Sequence, residues 1–270
     1  MEAKSEPASP FRNMHRFYLP PDQSLGPTLF LTGREAHHAS HVLRLRRGQR
    51  VVVLDGVGHE FFCDVGASDR DKIELTVVTT QSHPPSPCQL TLLQAIPKGK
   101  LIESIIQKAT ELGAARIVPL LSEHVVSDIA EPEAARKTAK WQLIAIEAIK
   151  QAGNPWLPRV EMPISPARFL ARKEKFDLPL IASLQSGAQH PRAYFRAFSS
   201  REKRLPESAC VWIGPEGDFT SAEVSAITAE GALPITLGKL VLRTETAAIY
   251  CLSILNYELQ SPSRVIEPAL

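Results

Sequence analysis

The order of hydrophobic and polar positions divides the chain into a strand-rich first part and a second part in which strands and helices alternate. In the first part, short runs of β-branched and apolar residues between glycine turns predict strands at residues 28–31, 50–55, 60–65 and 72–79. A helix is predicted at 35–43. These elements predict a small antiparallel barrel or sheet of about 65 residues.

The periodicity changes after residues 83–88, where HPPSPC places three prolines in six positions. Prolines at this density end both strands and helices, so the segment is predicted to be a linker. The apolar runs that follow predict strands at 90–95, 116–121, 178–184, 210–213 and 234–237, and apolar stripes predict helices at 101–112, 133–152, 221–230 and 246–259. Thr220 and Glu223 have the spacing of a capping box. This alternation predicts an α/β domain with a mostly parallel sheet.

The same pattern predicts the domain organisation. We expect a loose extension at 1–13, a first domain at 14–82, a linker at 83–88, a second domain at 89–260 and a tail at 261–270.

Composition narrows the possible classes of protein. The 270 residues carry 31 basic and 29 acidic side chains, a net charge of +2, which excludes a histone-like or polyacidic protein but leaves local nucleic-acid surfaces open. No apolar run is long enough for a transmembrane helix, so no membrane partner is expected. The four cysteines are scattered without a CxxC pair. This spacing disfavours a zinc ribbon or a disulfide scaffold and favours a reducing, cytoplasmic location.

Two glycine-containing segments near the carboxyl end are the candidates for chemistry. The sequence VWIGPEGDF at 211–219 leads an apolar strand into Gly214 and Gly217, which allow a ligand to approach the backbone closely. The sequence LGKLVLRTETAA at 237–248 places Arg243 just before a helix. Taken singly, each is also compatible with an ordinary turn or a capped helix. Because neither G-x-G-x-x-G nor G-x-x-x-x-G-K-[ST] occurs, a Rossmann dehydrogenase and a P-loop enzyme are disfavoured.

Together, IGPEG and LGKLVLRTETA resemble the RsmE family, the 16S ribosomal RNA (uracil-N3)-methyltransferases of the SPOUT superfamily. Four further segments match the family's pattern in order: RFYLP at 16–20, HASHVLRLRRG at 38–48, the block from PKGK to IVP at 97–119, and residues 141–158. The resemblance extends over about residues 14–260.

The resemblance implies a PUA-like β-barrel for RNA and a SPOUT domain with a mostly parallel sheet and a trefoil knot, which forms a homodimer and binds S-adenosylmethionine. By position it assigns cofactor binding to Leu184, Gln185, Ile213, Gly214, Pro215, Glu216, Gly217, Leu237, Gly238, Leu240, Leu242, Arg243 and Thr246.

The chain departs from the family's pattern at several positions. Asp218 replaces the second glycine of GPEGG, which we expect to preserve the loop and alter its flexibility. Lys150 and Gln151 stand where the pattern has Glu-Gln. Asn154 and His124 occupy two positions at which it has arginine, so two basic contacts to RNA or substrate are missing.

The chemistry of the implied reaction suggests roles for two residues. Uracil N3 is a poor nucleophile while it is protonated, so the site must stabilise charge on O2 and O4 or remove the proton. Arg243 is the candidate for stabilising charge, with a salt bridge or a clamp within the loop as the alternative. Glu216 is the second catalytic candidate; it or Glu245 could act as a base only where burial disfavours the charged carboxylate.

A local basic segment predicts the RNA-binding surface. Five arginines face one acid, Glu35, between residues 34 and 50. The residues predicted to contact RNA are Arg16, Arg34, Arg44, Arg46, Arg47 and Arg50. A solvated surface helix is the alternative. His37 and His41 have a spacing found in metal sites, but no third ligand is evident and no metal is expected.

The favoured function is therefore the S-adenosylmethionine-dependent methylation of uracil N3 in 16S ribosomal RNA of the small subunit. Two alternatives stay open: a SPOUT methyltransferase with another target nucleotide, and an RNA-binding assembly factor that has lost catalysis.

Overall fold

A computed structural model describes residues 14–69, 71–124, 129–184 and 187–260. The predicted extension at 1–13 and the tail at 261–270 lie outside these described residues. The chain divides into two compact units. The first contains the residues up to Pro85 together with Lys150–Trp156, and the second contains Ser86–Ile149 and the residues from Leu157 onward.

The first unit is built on a five-stranded sheet. Its strands are β1 (His15–Tyr18), β2 (Thr28–Thr32), β3 (Arg50–Leu54), β4 (His59–Ser68) and β5 (Lys72–Ser82), in the order β1-β3-β4-β5-β2. Phe17, Leu31 and Val53 belong to its buried core. The expectation of a wholly antiparallel sheet was wrong, because β1 pairs in parallel with β3. The four residues of β1 are too few to show a clear period in the sequence.

The predicted helix at 35–43 is formed by α1 (Gly33–His37) and a π-helical turn, His38–Val42. Within the same unit, Lys150 Nζ lies 2.8 Å from Glu35 Oε1, and both side chains are largely buried. The lysine that departs from the family's pattern is therefore neutralised by a carboxylate of this unit. Trp156 is anchored close by, where its indole N–H donates a hydrogen bond to the carbonyl of Pro84.

The second unit is built on a six-stranded sheet in which every pair is parallel. Its strands are β6 (Gln89–Ala95), β7 (Arg116–Leu120), β8 (Arg159–Val160), β9 (Leu178–Ala182), β10 (Ser208–Ile213) and β11 (Leu233–Ile235), in the order β11-β9-β10-β6-β7-β8. The helices are α2 (Leu101–Glu111), α3 (Glu131–Ala152), α4 (Pro166–Leu170), α5 (Pro191–Glu202), α6 (Ser221–Ala229) and α7 (Thr244–Leu259). Apolar side chains are buried on both faces of the sheet, which confirms the predicted α/β class.

Several bounds differ from the sequence-based expectations. The strands β1 and β8 and the helices α4 and α5 were not predicted. The helix α5 is rich in arginine and serine and buries only Pro191, Phe195 and Phe198, so its apolar stripe is narrow. The helix predicted to begin at Thr246 begins at Thr244, and the strand predicted at 178–184 ends at Ala182. The capping box of Thr220 and Glu223 is confirmed at the start of α6.

The cysteines are free and buried. Burial raises the pKa of the Cys63, Cys88, Cys210 and Cys251 thiols to about 12, so they stay protonated near neutral pH and are poor nucleophiles. Among the described residues, no helix is both long and apolar enough to cross a membrane.

Candidate functional site

The two candidate loops meet at one edge of the parallel sheet of the second unit. The strands β11, β9 and β10 are neighbours that run in the same direction, so the segments after Ala182, Ile213 and Ile235 all leave the sheet at its carboxyl edge. This edge is where ligands bind in open α/β sheets. It brings Leu184, the 213–217 loop and the 237–243 loop to one region. Gln185 lies outside the described residues.

A largely buried chain of hydrogen bonds joins the 213–217 loop to the start of α7. The Thr244 hydroxyl donates to the carbonyl of Gly214 at 2.6 Å. The side-chain amide of Gln94, on β6, donates to Thr244 Oγ1 at 2.9 Å and also to the carbonyl of Ala95. Gln94 is fully buried and Thr244 is 5% exposed. The position of the glycine loop is therefore set by side chains on two other elements.

Two further contacts hold the other end of this loop. Glu216 Oε1 accepts a hydrogen bond from the backbone N–H of Lys98 at 3.1 Å. The Nδ1 atom of His124 lies 2.9 Å from the carbonyl oxygen of Asp218. Lys98 follows β6 and His124 follows β7, so the carboxyl ends of five neighbouring strands contribute to the region.

Asp218 adopts the backbone conformation for which glycine is preferred. Its φ is +59°, in the left-handed region, at the position where the family's pattern has glycine. The side chain accepts a hydrogen bond from the N–H of Phe219 at 2.7 Å, a local contact that helps aspartate tolerate this conformation. A Cβ at Gly214 would lie 2.7 Å from Asp218 Oδ1 and 3.2 Å from its Cα, so glycine is required at 214.

The 237–243 loop is exposed and partly apolar. Gly238 has φ +114°, which disfavours any other residue there. Leu240 is 76% and Leu184 67% exposed, so large apolar side chains face solvent at this edge. Leu242 is half-buried, and Thr246 is an exposed residue in the first turn of α7.

Arg243 is the N-cap residue of α7, and its side chain is exposed. Within the described part of the chain, its guanidinium has no hydrogen bond or ion pair, so the salt bridge or clamp considered as an alternative is not formed there. Glu216 is exposed as well as hydrogen-bonded, so the burial that its use as a base required is absent.

Sequence reasoning missed the contributions of Gln94, Lys98, His124 and Thr244 to this region. All but Thr244 lie at or just beyond the ends of apolar strands of the second unit. Polar residues directly after buried parallel strands were the available signal.

The predicted RNA-contacting arginines of the first unit have different surroundings. Arg44, Arg46 and Arg47 are exposed, and the described residues provide no hydrogen-bond or ion-pair partner for their guanidinium groups. Arg34 is exposed, whereas Arg50 lies 3.4 Å from Asp64.

The guanidinium of the half-buried Arg16 packs against Gly153, where a Cβ would lie 2.9 Å from its Nη2. His37 and His41 stack with their ring centroids 4.5 Å apart. No group of three potential metal ligands occurs in the ranges that the structure describes.

Comparison with known proteins adds independent information. Residues 84–256 match the family described as RNA methyltransferase domain, and residues 31–78 match the RNA methyltransferase PUA domain. The Bacillus subtilis protein named ribosomal RNA small subunit methyltransferase E is 34% identical over 86% of this chain and 91% of its own length.

Two solved structures are also similar. A Legionella pneumophila protein, described as a methyltransferase in complex with the bound cofactor SAM, superposes with a TM-score of 0.81 at 31% identity, covering 90% of this chain and 97% of its own. The Neisseria gonorrhoeae ribosomal RNA small subunit methyltransferase E bound to S-adenosyl methionine has a TM-score of 0.77 at 28% identity, with coverage of 90% and 97%.

The largely buried hydrogen-bond chain generates a stability prediction. Thr244→Val removes the hydroxyl, so the Gly214 carbonyl loses its donor and the Gln94 amide keeps only its bond to the Ala95 carbonyl. We expect the free energy of unfolding in urea to fall by about 1–3 kcal/mol. Thr244→Ser keeps the hydroxyl and is the matched control. Equal stability of the valine and serine variants would show that this hydrogen bond does not contribute.

Proposed function

Since the chain belongs to the ribosomal RNA small subunit methyltransferase E family, we propose that it transfers a methyl group from S-adenosylmethionine to uracil N3 in 16S ribosomal RNA. The observation that carries the proposal is the hydrogen bond of Thr244 with Gly214, because it unites the two segments from which the methyl-donor site would be built. The PUA match at residues 31–78 supports RNA as the substrate.

The residues at the carboxyl edge fit the proposed methyl donor. Gln94 Oε1 is buried and accepts no hydrogen bond from the described residues. The strand β6 therefore places an unused hydrogen-bond acceptor beside Thr244. The exposed side chains of Leu184 and Leu240 supply apolar surface. A ligand with both N–H donors and apolar groups suits this combination. When bound, S-adenosylmethionine supplies a methyl group on a positively charged sulfur that is already a good leaving group.

We assign binding of the methyl donor to the residues that the resemblance indicated in the three loops, apart from the side chains of Glu216 and Arg243, which are given other roles below. Gln94 and Thr244 add support from beneath. The main contribution of the protein is then to align the acceptor nitrogen with the methyl carbon and to exclude water.

Arg243 is proposed to stabilise the negative charge that develops on the uracil oxygens. Its guanidinium is exposed at the start of α7 and is not committed to another side chain of the described residues. A planar set of N–H donors suits an oxygen that gains charge during the reaction. Glu216 is instead assigned to anchoring the loop on the N–H of Lys98.

The remaining parts of the proposal concern assembly and location. Large exposed apolar side chains on the second unit, Leu184, Leu240, Val241 and Tyr257, support a homodimer through this unit. The trefoil knot and the cytoplasmic location are proposed from the family resemblance.

The proposed function is tested with small ribosomal subunits from cells that lack this protein. Their 16S RNA is mapped by mass spectrometry before and after incubation with the protein and S-adenosylmethionine. We expect one uracil to gain a methyl group at N3. Methylation of another nucleotide would indicate a related enzyme with a different target. Cofactor binding without transfer would indicate an inactive assembly factor.

The assignment of Arg243 predicts that Arg243→Ala lowers kcat by about 10²–10³-fold, the usual effect of losing one donor to a developing oxyanion. The affinity for S-adenosylmethionine, measured by calorimetry, should stay within about twofold. Arg196→Ala, which removes an exposed arginine on α5, is the matched control. An equal loss of cofactor affinity would make the role of Arg243 structural.

The basic segment predicts a change in the salt dependence of RNA binding. Replacing Arg44, Arg46 and Arg47 by Gln should weaken binding and reduce the slope of log K against log salt by about 2–3, because each phosphate contact contributes about 0.7–0.9. The control replaces Arg168, Arg192 and Arg196, which are exposed on the second unit. An unchanged slope in the first variant would reject this surface.

A further inference from the structure

The segment after β7 brings an imidazole to the proposed methyl-donor loop. His124 Nδ1 lies 2.9 Å from the carbonyl oxygen of Asp218. A carbonyl oxygen only accepts hydrogen bonds, so Nδ1 must carry the proton in this contact. In a neutral imidazole the basic lone pair is then on Nε2. The contact with Asp218 therefore selects the tautomer in which Nε2 can accept a proton.

The ring of His124 has one hydrogen-bond partner among the described residues, the Asp218 carbonyl. The side chain is exposed, and the described residues provide no second hydrogen bond or ion pair for its ring. A Cβ at Gly217 would lie 3.6 Å from Nδ1, so the ring lies beside the glycine loop. An imidazole is thus placed beside the 213–217 loop, which is part of the proposed methyl-donor site.

The carboxylates on the segments around His124 are less suited to accept a proton. Glu216 accepts from the N–H of Lys98, and Asp218 accepts from the N–H of Phe219. Glu223 is buried and accepts from the N–H groups of Thr220 and Glu123. Glu123 precedes the histidine and is exposed. Glu245, half-buried in the first turn of α7, is the remaining competitor.

We propose that His124 is the general base that removes the N3 proton of the target uracil; this inference rests on the function proposed above. The N3–H bond breaks, and the proton moves to Nε2 to give an imidazolium. The electron pair on N3 forms the bond to the methyl carbon, and sulfur keeps the pair of the breaking S–C bond. The imidazolium later returns its proton to water. The carbonyl of Asp218 orients the ring, as the third group does in other nucleophile–base arrangements.

The residue type at position 124 departs from the family's pattern. The family's pattern has arginine at this position, and arginine stays protonated and cannot accept a proton at neutral pH. Histidine keeps a polar group there and, unlike arginine, has a neutral form with a nitrogen that can accept a proton.

The test uses His124→Asn, because the asparagine amide can keep the N–H donor to the Asp218 carbonyl while the base is lost. Single-turnover methyl transfer is measured across pH, with calorimetry for S-adenosylmethionine and thermal melting for stability. We expect the rate to fall by about 10²–10⁴-fold. The decrease in rate at low pH, called the acidic limb of the pH–rate profile, should also disappear, because it reports protonation of the base. Cofactor affinity should stay within about twofold, the melting temperature should be unchanged, and added imidazole should restore part of the rate.

Three further variants complete the experiment. His124→Gln lacks both the base and the correctly placed donor, so it should lose the rate and also bind the cofactor more weakly. His83→Asn, which changes an imidazole bonded to Glu60 in the first unit, is the control and should keep the acidic limb. Glu245→Gln tests the competing carboxylate.

Two results would overturn the role of His124. One is a His124→Asn variant that keeps the acidic limb or loses rate only in proportion to cofactor affinity. The other is loss of the limb in Glu245→Gln. Failure of the proposed function is recognised separately, because the unaltered protein would then bind S-adenosylmethionine without methylating uracil N3, and this outcome would also refute a base at that atom.

Discussion

The hydrogen bond from the Thr244 hydroxyl to the Gly214 carbonyl is the constraint on which the rest of the site depends. It is partly buried, and the fully buried amide of Gln94 supports it from β6. In a low-dielectric interior such a bond is strong, and its loss leaves two polar groups without partners. The contacts of Glu216 and His124 then act on a loop whose first residue is already fixed. The exposed residues at this edge are therefore carried by a backbone that is held by hydrogen bonds from three other segments.

The regular part of the fold was predictable because its signals are local. The valine-rich strand at β3, the apolar runs of β6 and β10, and the capping box at Thr220 each need only neighbouring residues to be recognised. The missed elements lack such signals. The strand β8 has two residues, and β1 has four. Their formation depends on the strands beside them, β7 and β3, which supply the hydrogen-bond partners.

The site was predictable only in part, for a different reason. Its glycine loops resemble a known pattern, but the residues that hold them are distant in sequence: Gln94 and Thr244 are 150 positions apart, and His124 and Asp218 are 94 apart. The contacts of Thr244, Glu216 and His124 are made to the backbone groups of Gly214, Lys98 and Asp218. Backbone groups are the same in every residue, so the sequence does not indicate these contacts. The departure at Asp218 was expected to alter flexibility. In the structure Asp218 has a left-handed backbone and accepts a hydrogen bond from the N–H of Phe219, and the expectation about flexibility stays a prediction.

The membership of Lys150–Trp156 in the first unit means that neither unit is a continuous stretch of sequence. A gene fragment that begins after the proline-rich linker would carry this heptapeptide away from Glu35 and Pro84, its partners in the first unit. A fragment that stops at the linker would keep Glu35 and Pro84 but lack Lys150 and Trp156, which contact them. Exchange of only one half of the coding sequence between relatives would therefore pair residues 150–156 with partners from a different protein. We expect recombination to keep both halves together.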